Sequence, residues 1–229
     1  MIGIIGAMQA EVASLQALMS HRQTVTVSGI DFFVGTIHGK DVVVAKCGVG
    51  KVFAALCAQT MILRFSPDIV LNTGVGGALN PALKIGDLLI AGRTLQHDMD
   101  TSALGDPVGL VSGINQIYFP CDRKAVDIMC SAVAACGFKR MIGTVASGAQ
   151  FICDAAEKAR IVTQFEADVC EMEGAAIGHV CTVNAVPYLV LRAASDKADG
   201  EAPADFPAFV RQAAENAACV VAKFVELYT

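Results

Sequence analysis

Short, nearly unbroken apolar runs recur along this chain, among them residues 2–5, 42–47, 87–91, 141–146 and 187–193, and stretches with helical apolar spacing lie between them. Runs that are apolar at consecutive positions belong to strands covered on both faces, and strands that alternate with helices return to one another in parallel. The expected fold is therefore α/β, with a largely parallel, twisted sheet flanked by helices. At 229 residues the chain is long enough for one full core, so residues 1–229 are expected to form a single domain.

Local detail follows the same reading. Val12, Leu15, Leu18 and Met19 mark an amphipathic helix from Gln9 onward, and further helices are expected over 50–65, 124–136, 154–165, 173–184 and 205–226. In the second of these Val52, Leu56, Gln59 or Thr60, and Leu63 share one face. Phe32 to Ile37 and Val42 to Cys47 flank His38, Gly39 and Lys40 as a hairpin. Residues 68–72 and 168–171 are shorter strands. Thr73 to Gly77 is expected to be a flexible, glycine-rich loop, and residues 97–118 a long functional one.

Composition removes several classes of function. Hydrophobic residues make up 54% of the chain and mean hydropathy is +0.54, yet charge interrupts every apolar run well before the roughly 20 residues that a membrane helix needs. No basic segment precedes the apolar residues at positions 1–6, so a cytoplasmic location is expected. The net charge of −5 comes without a basic stripe, which argues against nucleic acid as a partner. The nine cysteines lie singly, with no C-x-x-C pair, and read as core thiols of a reducing compartment.

No cofactor or metal is expected. Gly48 to Lys51 lacks the first glycine of a phosphate loop and has Val52 where magnesium needs a hydroxyl. Gly74 to Leu79 fails the dinucleotide pattern at its third glycine. His97, Asp98 and Asp100 form one acidic cluster with no second cluster to complete a coordination shell.

The stretch from Asp168 to Ile177 points toward chemistry. Charged residues are only 17% of the chain, and carboxylates are seldom buried without partners, yet Glu171 and Glu173 flank Met172 where a strand gives way to a helix. Glu11 also begins a helix just after a strand, and Asp196 ends another strand. Three acids thus fall along one sheet edge, where α/β folds bind ligands. Carboxylates in a water-poor pocket split into acid and base because desolvation and mutual repulsion separate their pKa values. Structural acids also populate helix starts, so spacing alone leaves both roles open. Phe151 follows another strand, where an exposed ring would stack on a planar base, although burial is the ordinary fate of such a residue.

Taken together, Gly3 to Met8 with Glu11, Asn72 to Gly74, Ser147-Gly148 with Phe151-Ile152, Glu171-Met172-Glu173 and Arg192 to Asp196 resemble the bacterial 5′-methylthioadenosine/S-adenosylhomocysteine nucleosidases across nearly the whole chain. The resemblance implies a nucleoside phosphorylase-like domain with a mixed, partly closed sheet, a homodimer, and hydrolysis of the bond between adenine and a thio-sugar. It assigns Asp196 as general acid to adenine N7, oriented by Ser195, Glu11 as base for the attacking water, and Glu173 to the ribose hydroxyls. It places Met172 against the sugar, Phe151 on the adenine, Ile152 at the base edge, and Glu171 and Arg192 among the binding residues. Met8, Val49 and Phe206 match the apolar pocket for the 5′ group, with Thr101 and Leu104 on a loop that closes the pocket of the partner subunit. Val75 stands where the family commonly has serine, which favours hydrolysis over phosphorolysis by leaving little to hold phosphate. A phosphate-dependent nucleoside phosphorylase and a non-catalytic nucleoside-binding module are the competing readings.

Overall fold

The computed structural model describes residues 1–229. Strand β1 (Ile2–Gly6) leads into helix α1 (Gln9–Leu18), followed by β2 (Ser20–Val27), β3 (Ile30–Ile37), β4 (Lys40–Lys46) and α2 (Lys51–Phe65). Then come β5 (Ile69–Ala78), β6 (Leu88–Gln96), a short 3-10 helix at Ser102–Leu104, β7 (Tyr118–Pro120), α3 (Arg123–Ala135) and β8 (Arg140–Ser147). Helix α4 (Ala155–Phe165), β9 (Val169–Glu171), α5 (Gly174–Val183), β10 (Tyr188–Asp196) and α6 (Ala202–Leu227) complete the chain.

All ten strands join one mixed sheet in the order β10-β6-β8-β9-β5-β1-β4-β3-β2, with β7 on β6, and β10 also pairs with β5. That extra pairing closes the part from β10 to β5 on itself, while the β1-β4-β3-β2 part stays open. Parallel pairs run through β4-β1-β5-β10 and β6-β8-β9, and the closure of β5 with β9 and of β10 with β6 is antiparallel. Helix α6 packs on β5 and β10 and against α1 and α3, whereas α5 covers β6 and β8 and packs on α2. The consecutive apolar positions of β1, β5 and β10 are buried throughout, as helices on both faces require.

Three features of the structure depart from or add to the sequence reading. Residues 73–77 are not a flexible loop: β5 continues through them to Ala78 with every residue buried, paired to β10 as far as Gly77 opposite Asp196. The glycines there are spacers for side chains of other elements. A Cβ on Gly74 would lie 2.5 Å from Glu11 Oε1, and one on Gly77 would lie 2.8 Å from Asp196 Oδ1. Second, strand β2 carried no sequence signal, because it is an edge strand exposed over most of its length and so needs no apolar alternation. Third, the face of α2 that bears Val52, Leu56 and Leu63 looks outward, while Ala54, Cys57, Ala58 and Met61 pack inward. The hairpin is as expected, with His38 and Gly39 both at positive φ (50° and 74°) between β3 and β4. No helix of the structure is long and apolar enough to cross a membrane.

Candidate active site

A cavity of about 250 Å³ opens where β1, β5, β8, β9 and β10 end. Its wall contains Met8, Glu11, Val49, Val75, Phe151, Ile152, Glu171, Met172, Glu173, Ser195, Asp196 and Phe206, so twelve of the fifteen residues singled out in the sequence converge there. Ala7, Gly76, Gly77, Gln150 and Cys170 complete the wall. The glycines lie in the segment misread as a loop. Gln150 directly precedes Phe151 in a run already marked, but a polar residue beside a turn has no pattern of its own.

Glu11 is 4% exposed at the first turn of α1. Its Oε2 accepts the amides of Ala7 (2.7 Å) and Met8 (2.9 Å), and its Oε1 accepts the amide of Val75 (3.1 Å). The departure at position 75 is thus made at a residue whose backbone, not its side chain, holds the carboxylate. Burial raises the pKa of Glu11, and the field of Arg192 together with the three amides opposes that rise. A desolvated carboxylate fixed in place by donors is able to accept a proton from a water beside it.

Asp196 ends β10 just after a register shift between Ala194 and Asp196, a local irregularity that turns the side chain into the cavity. Ser195 Oγ donates to Oδ2 at 2.8 Å and the Ala198 amide to Oδ1 at 2.8 Å. Burial raises its pKa, and both donors oppose the rise. Desolvation favours the protonated form of this carboxyl group, the form from which a proton can pass to a ligand.

Glu171 and Glu173 divide structural and open roles between them. Glu171 accepts hydrogen bonds from Ser147 Oγ, from Arg192 Nη2, and from the amides of Glu173 (3.0 Å) and Gly174 (2.7 Å). Its carboxylate is fully occupied, although the residue borders the cavity. Glu173, at the start of α5, accepts only the Gly50 amide (2.7 Å), so the positive-φ turn before α2 reaches across to it. Burial and the neighbouring Glu171 push its pKa up to about 7.

Arg192 corrects an expectation. It is 1% exposed and lies behind the wall, not in it, with its guanidinium on Glu171, on Asn72 Oδ1 (2.5 Å) and on the Leu191 carbonyl (2.9 Å). A buried cation needs such partners, so Arg192 positions Glu171 and the start of α5. Asn72 in turn donates to the Ile5 carbonyl at 3.0 Å, which joins β1, β5, β9 and β10 into one polar framework. Ser147 and Asn72 stood in the sequence motifs without a role, and their work appears only in this framework.

Phe151 is 39% exposed, its ring edge-on to Phe206 at 5.5 Å and 78°. It faces the cavity instead of the core. Thr101 and Leu104 are outside the cavity of their own chain: Thr101 bonds Asp106 at 2.8 Å, and Leu104 is 84% exposed on the 3-10 helix. Asp98 on the same loop pairs with Lys51 (2.5 Å) and accepts the Ala149 amide (2.9 Å), which ties the loop to the segment carrying Phe151. No three His, Cys, Asp or Glu side chains converge as a metal-binding group.

Comparison with known proteins places these features among relatives. A family model described as Phosphorylase superfamily matches residues 1–226. The 5′-methylthioadenosine/S-adenosylhomocysteine nucleosidase of Shewanella loihica is 39% identical over 222 residues, 96% of each chain. Among solved structures, the nucleosidase of that name from Neisseria meningitidis, in complex with methylthio-immucillin-A, matches with a TM-score of 0.96 at 34% identity over 98% of each chain. The futalosine hydrolase of Helicobacter pylori matches with a TM-score of 0.94 at 35% identity, over 98% of this chain and 97% of that one.

Proposed function

This chain belongs to the Phosphorylase superfamily and, within it, to the 5′-methylthioadenosine/S-adenosylhomocysteine nucleosidases, and from that premise we propose how its residues carry the reaction. The protein is an N-glycosyl hydrolase of adenine nucleosides, which cleaves the glycosidic bond of 5′-methylthioadenosine and S-adenosylhomocysteine and releases adenine and the 5-thioribose product.

Adenine leaves poorly as an anion, so Asp196 protonates N7 as the bond lengthens, with Ser195 fixing the carboxyl. The sugar becomes oxocarbenium-like, and Glu11 takes the proton of the water that attacks it. Glu173 holds the ribose hydroxyls, Met172 packs on the sugar, Phe151 stacks on the base and the Ile152 backbone meets the base edge. Met8, Val49 and Phe206 receive the 5′-alkylthio group, whose thioether suits an apolar wall that a 5′-phosphate would not.

One observation carries this reading. Glu11, Glu173 and Asp196 converge on a cavity whose wall has no Lys or Arg, while Arg192 is engaged by Glu171 and Asn72 behind it. Such a site repels an anionic nucleophile and accepts water. Adenine release from 5′-methylthioadenosine and S-adenosylhomocysteine in phosphate-free buffer is the test, with futalosine as the third substrate. Turnover that requires phosphate would replace hydrolysis by phosphorolysis, and binding without turnover would leave only a nucleoside-binding module.

We infer further that the protein is a homodimer acting in the cytoplasm on this small-molecule substrate. Val52 is 82% exposed and Leu63 70%, and Val52 with Val180 and Val183 of α5 lines one groove between the two helices. An exposed apolar face of this extent marks an association surface. Thr101 and Leu104, displaced from their own cavity, then reach the 5′ pocket of the partner subunit. Sedimentation velocity at micromolar concentration should give a dimer, and a monomer would remove this part of the reading.

A further inference from the structure

Two thiols meet at the surface where the end of α3 lies against the middle of α6. Cys136 caps α3, Cys219 is on α6, and their sulfurs are 3.9 Å apart although 83 residues separate them in sequence. Of the nine free cysteines, these two share a thiol hydrogen bond, with Cys219 Sγ donating to Cys136 Sγ. A disulfide requires an S–S distance near ~2.05 Å, so the sulfurs must close by about 2 Å for the bond to form.

The other buried thiols are poorly placed for oxidation. Burial pushes Cys57, Cys121, Cys170 and Cys181 up to about 12 and Cys47 higher, which suppresses the reactive thiolate. Cys219 is exposed, whereas Cys136 is half-buried. Burial and the adjacent Cys219 push Cys136 up to about 11, opposed by Lys223, one turn beyond Cys219 and paired with Glu226 at 2.9 Å. The two sulfurs are therefore unequal: Cys219 meets an oxidant first, and Cys136 stands behind it as a protonated partner.

We propose that Cys136 and Cys219 form a reversible oxidation site, at which a peroxide converts the pair into a disulfide fastening α6 to α3. The Cys219 thiolate attacks one peroxide oxygen and becomes a sulfenic acid, while the O–O bond breaks and the second oxygen leaves as water after taking a proton. The Cys136 sulfur then attacks the Cys219 sulfur and expels the sulfenic oxygen, which departs as a second water with the Cys136 proton. Two thiols lose two electrons, and the peroxide is reduced to two waters. The site goes beyond the nucleosidase reading and does not depend on it. Phe206, the part of α6 in the cavity wall, is 13 residues from Cys219, about 20 Å along the helix. Oxidation thus changes how α6 is anchored while leaving the cavity as it is.

The full-length protein treated with hydrogen peroxide should lose the mass of two hydrogens, and a non-reducing peptide map should join the Cys136 and Cys219 peptides. Because the link closes a loop of more than eighty residues, the thermal midpoint should rise by about 5–15 °C, and dithiothreitol should reverse both changes. Cys136→Ser and Cys219→Ser, at positions that are not fully buried, should fold normally and abolish both. Oxygen adducts on Cys219 without a cross-link, a cross-link that survives in either variant, or a joined pair with an unchanged midpoint would each overturn the proposal.

Discussion

Glu171 and Glu173 stand two residues apart at the edge of the cavity, both nearly buried, and the regions they serve treat a carboxylate in opposite ways. Behind the wall, Glu171 meets a guanidinium, a hydroxyl and two amides, so its acceptor capacity is used up. On the cavity side, Glu173 has the single Gly50 amide, Asp196 has one hydroxyl and one amide, and Glu11 has three amides without a salt bridge. Equal burial therefore says little about role. Open acceptor capacity, not burial, separates Glu11, Glu173 and Asp196 at the cavity from Glu171, which holds the framework.

Removing Arg192 should break this contrast most severely. Arg192→Leu leaves Glu171 buried without its cation, which should cost about 3–5 kcal/mol of stability, read as the midpoint of urea unfolding. A midpoint near that of the unmodified protein would mean that the framework does not depend on the pair.

Next in size are the cavity-side acids. Glu11→Gln and Asp196→Asn should each lower kcat by about 10²–10⁴ while the unfolding midpoint changes little. Near-normal turnover in either variant would remove that residue from its assigned proton transfer.

Glu173 offers a sharper test through pH. Its pKa is about 7 in the folded protein against a reference of 4.5, so the folded state holds the proton more tightly than the unfolded chain does. Stability contributed by this group is present below the reference value and is lost as pH rises through about 7, at a cost of about 3–4 kcal/mol. Glu173→Gln should therefore be stabilised relative to the unmodified protein at pH 8 and much less so at pH 5. A difference independent of pH would show that Glu173 is not held in the way its surroundings indicate. The smallest effect is expected at Phe151, where Phe151→Ala should weaken adenine binding by up to about tenfold in a calorimetric titration. Unchanged affinity would detach the ring from the base.

The sequence made much of this legible for a physical reason. The buried strands β1 and β10 and the first half of β5 announce themselves because a strand covered on both faces is apolar at consecutive positions. Scarce acids stood out against an apolar background at Glu11, Glu171, Glu173 and Asp196, and the cavity collects all four. Less visible were features without a pattern along the chain. An edge strand such as β2 needs no alternation, and the glycines of β5 look like loop residues until the side chains they make room for are known. Helix α2 has apolar residues on two faces, and periodicity alone does not say which one meets the sheet.

The sequence by itself determined the alternation of strands and helices, the family likeness and the acids that line the cavity, because period, composition and residue type are written along one dimension. Tertiary structure alone decided that Arg192 turns away from the cavity to hold Glu171, that Gly50 reaches across to Glu173, and that Cys136 lies against Cys219. Each of those depends on which distant segments pack together, and the free energy of a buried charge or thiol is set by the neighbours that folding brings to it.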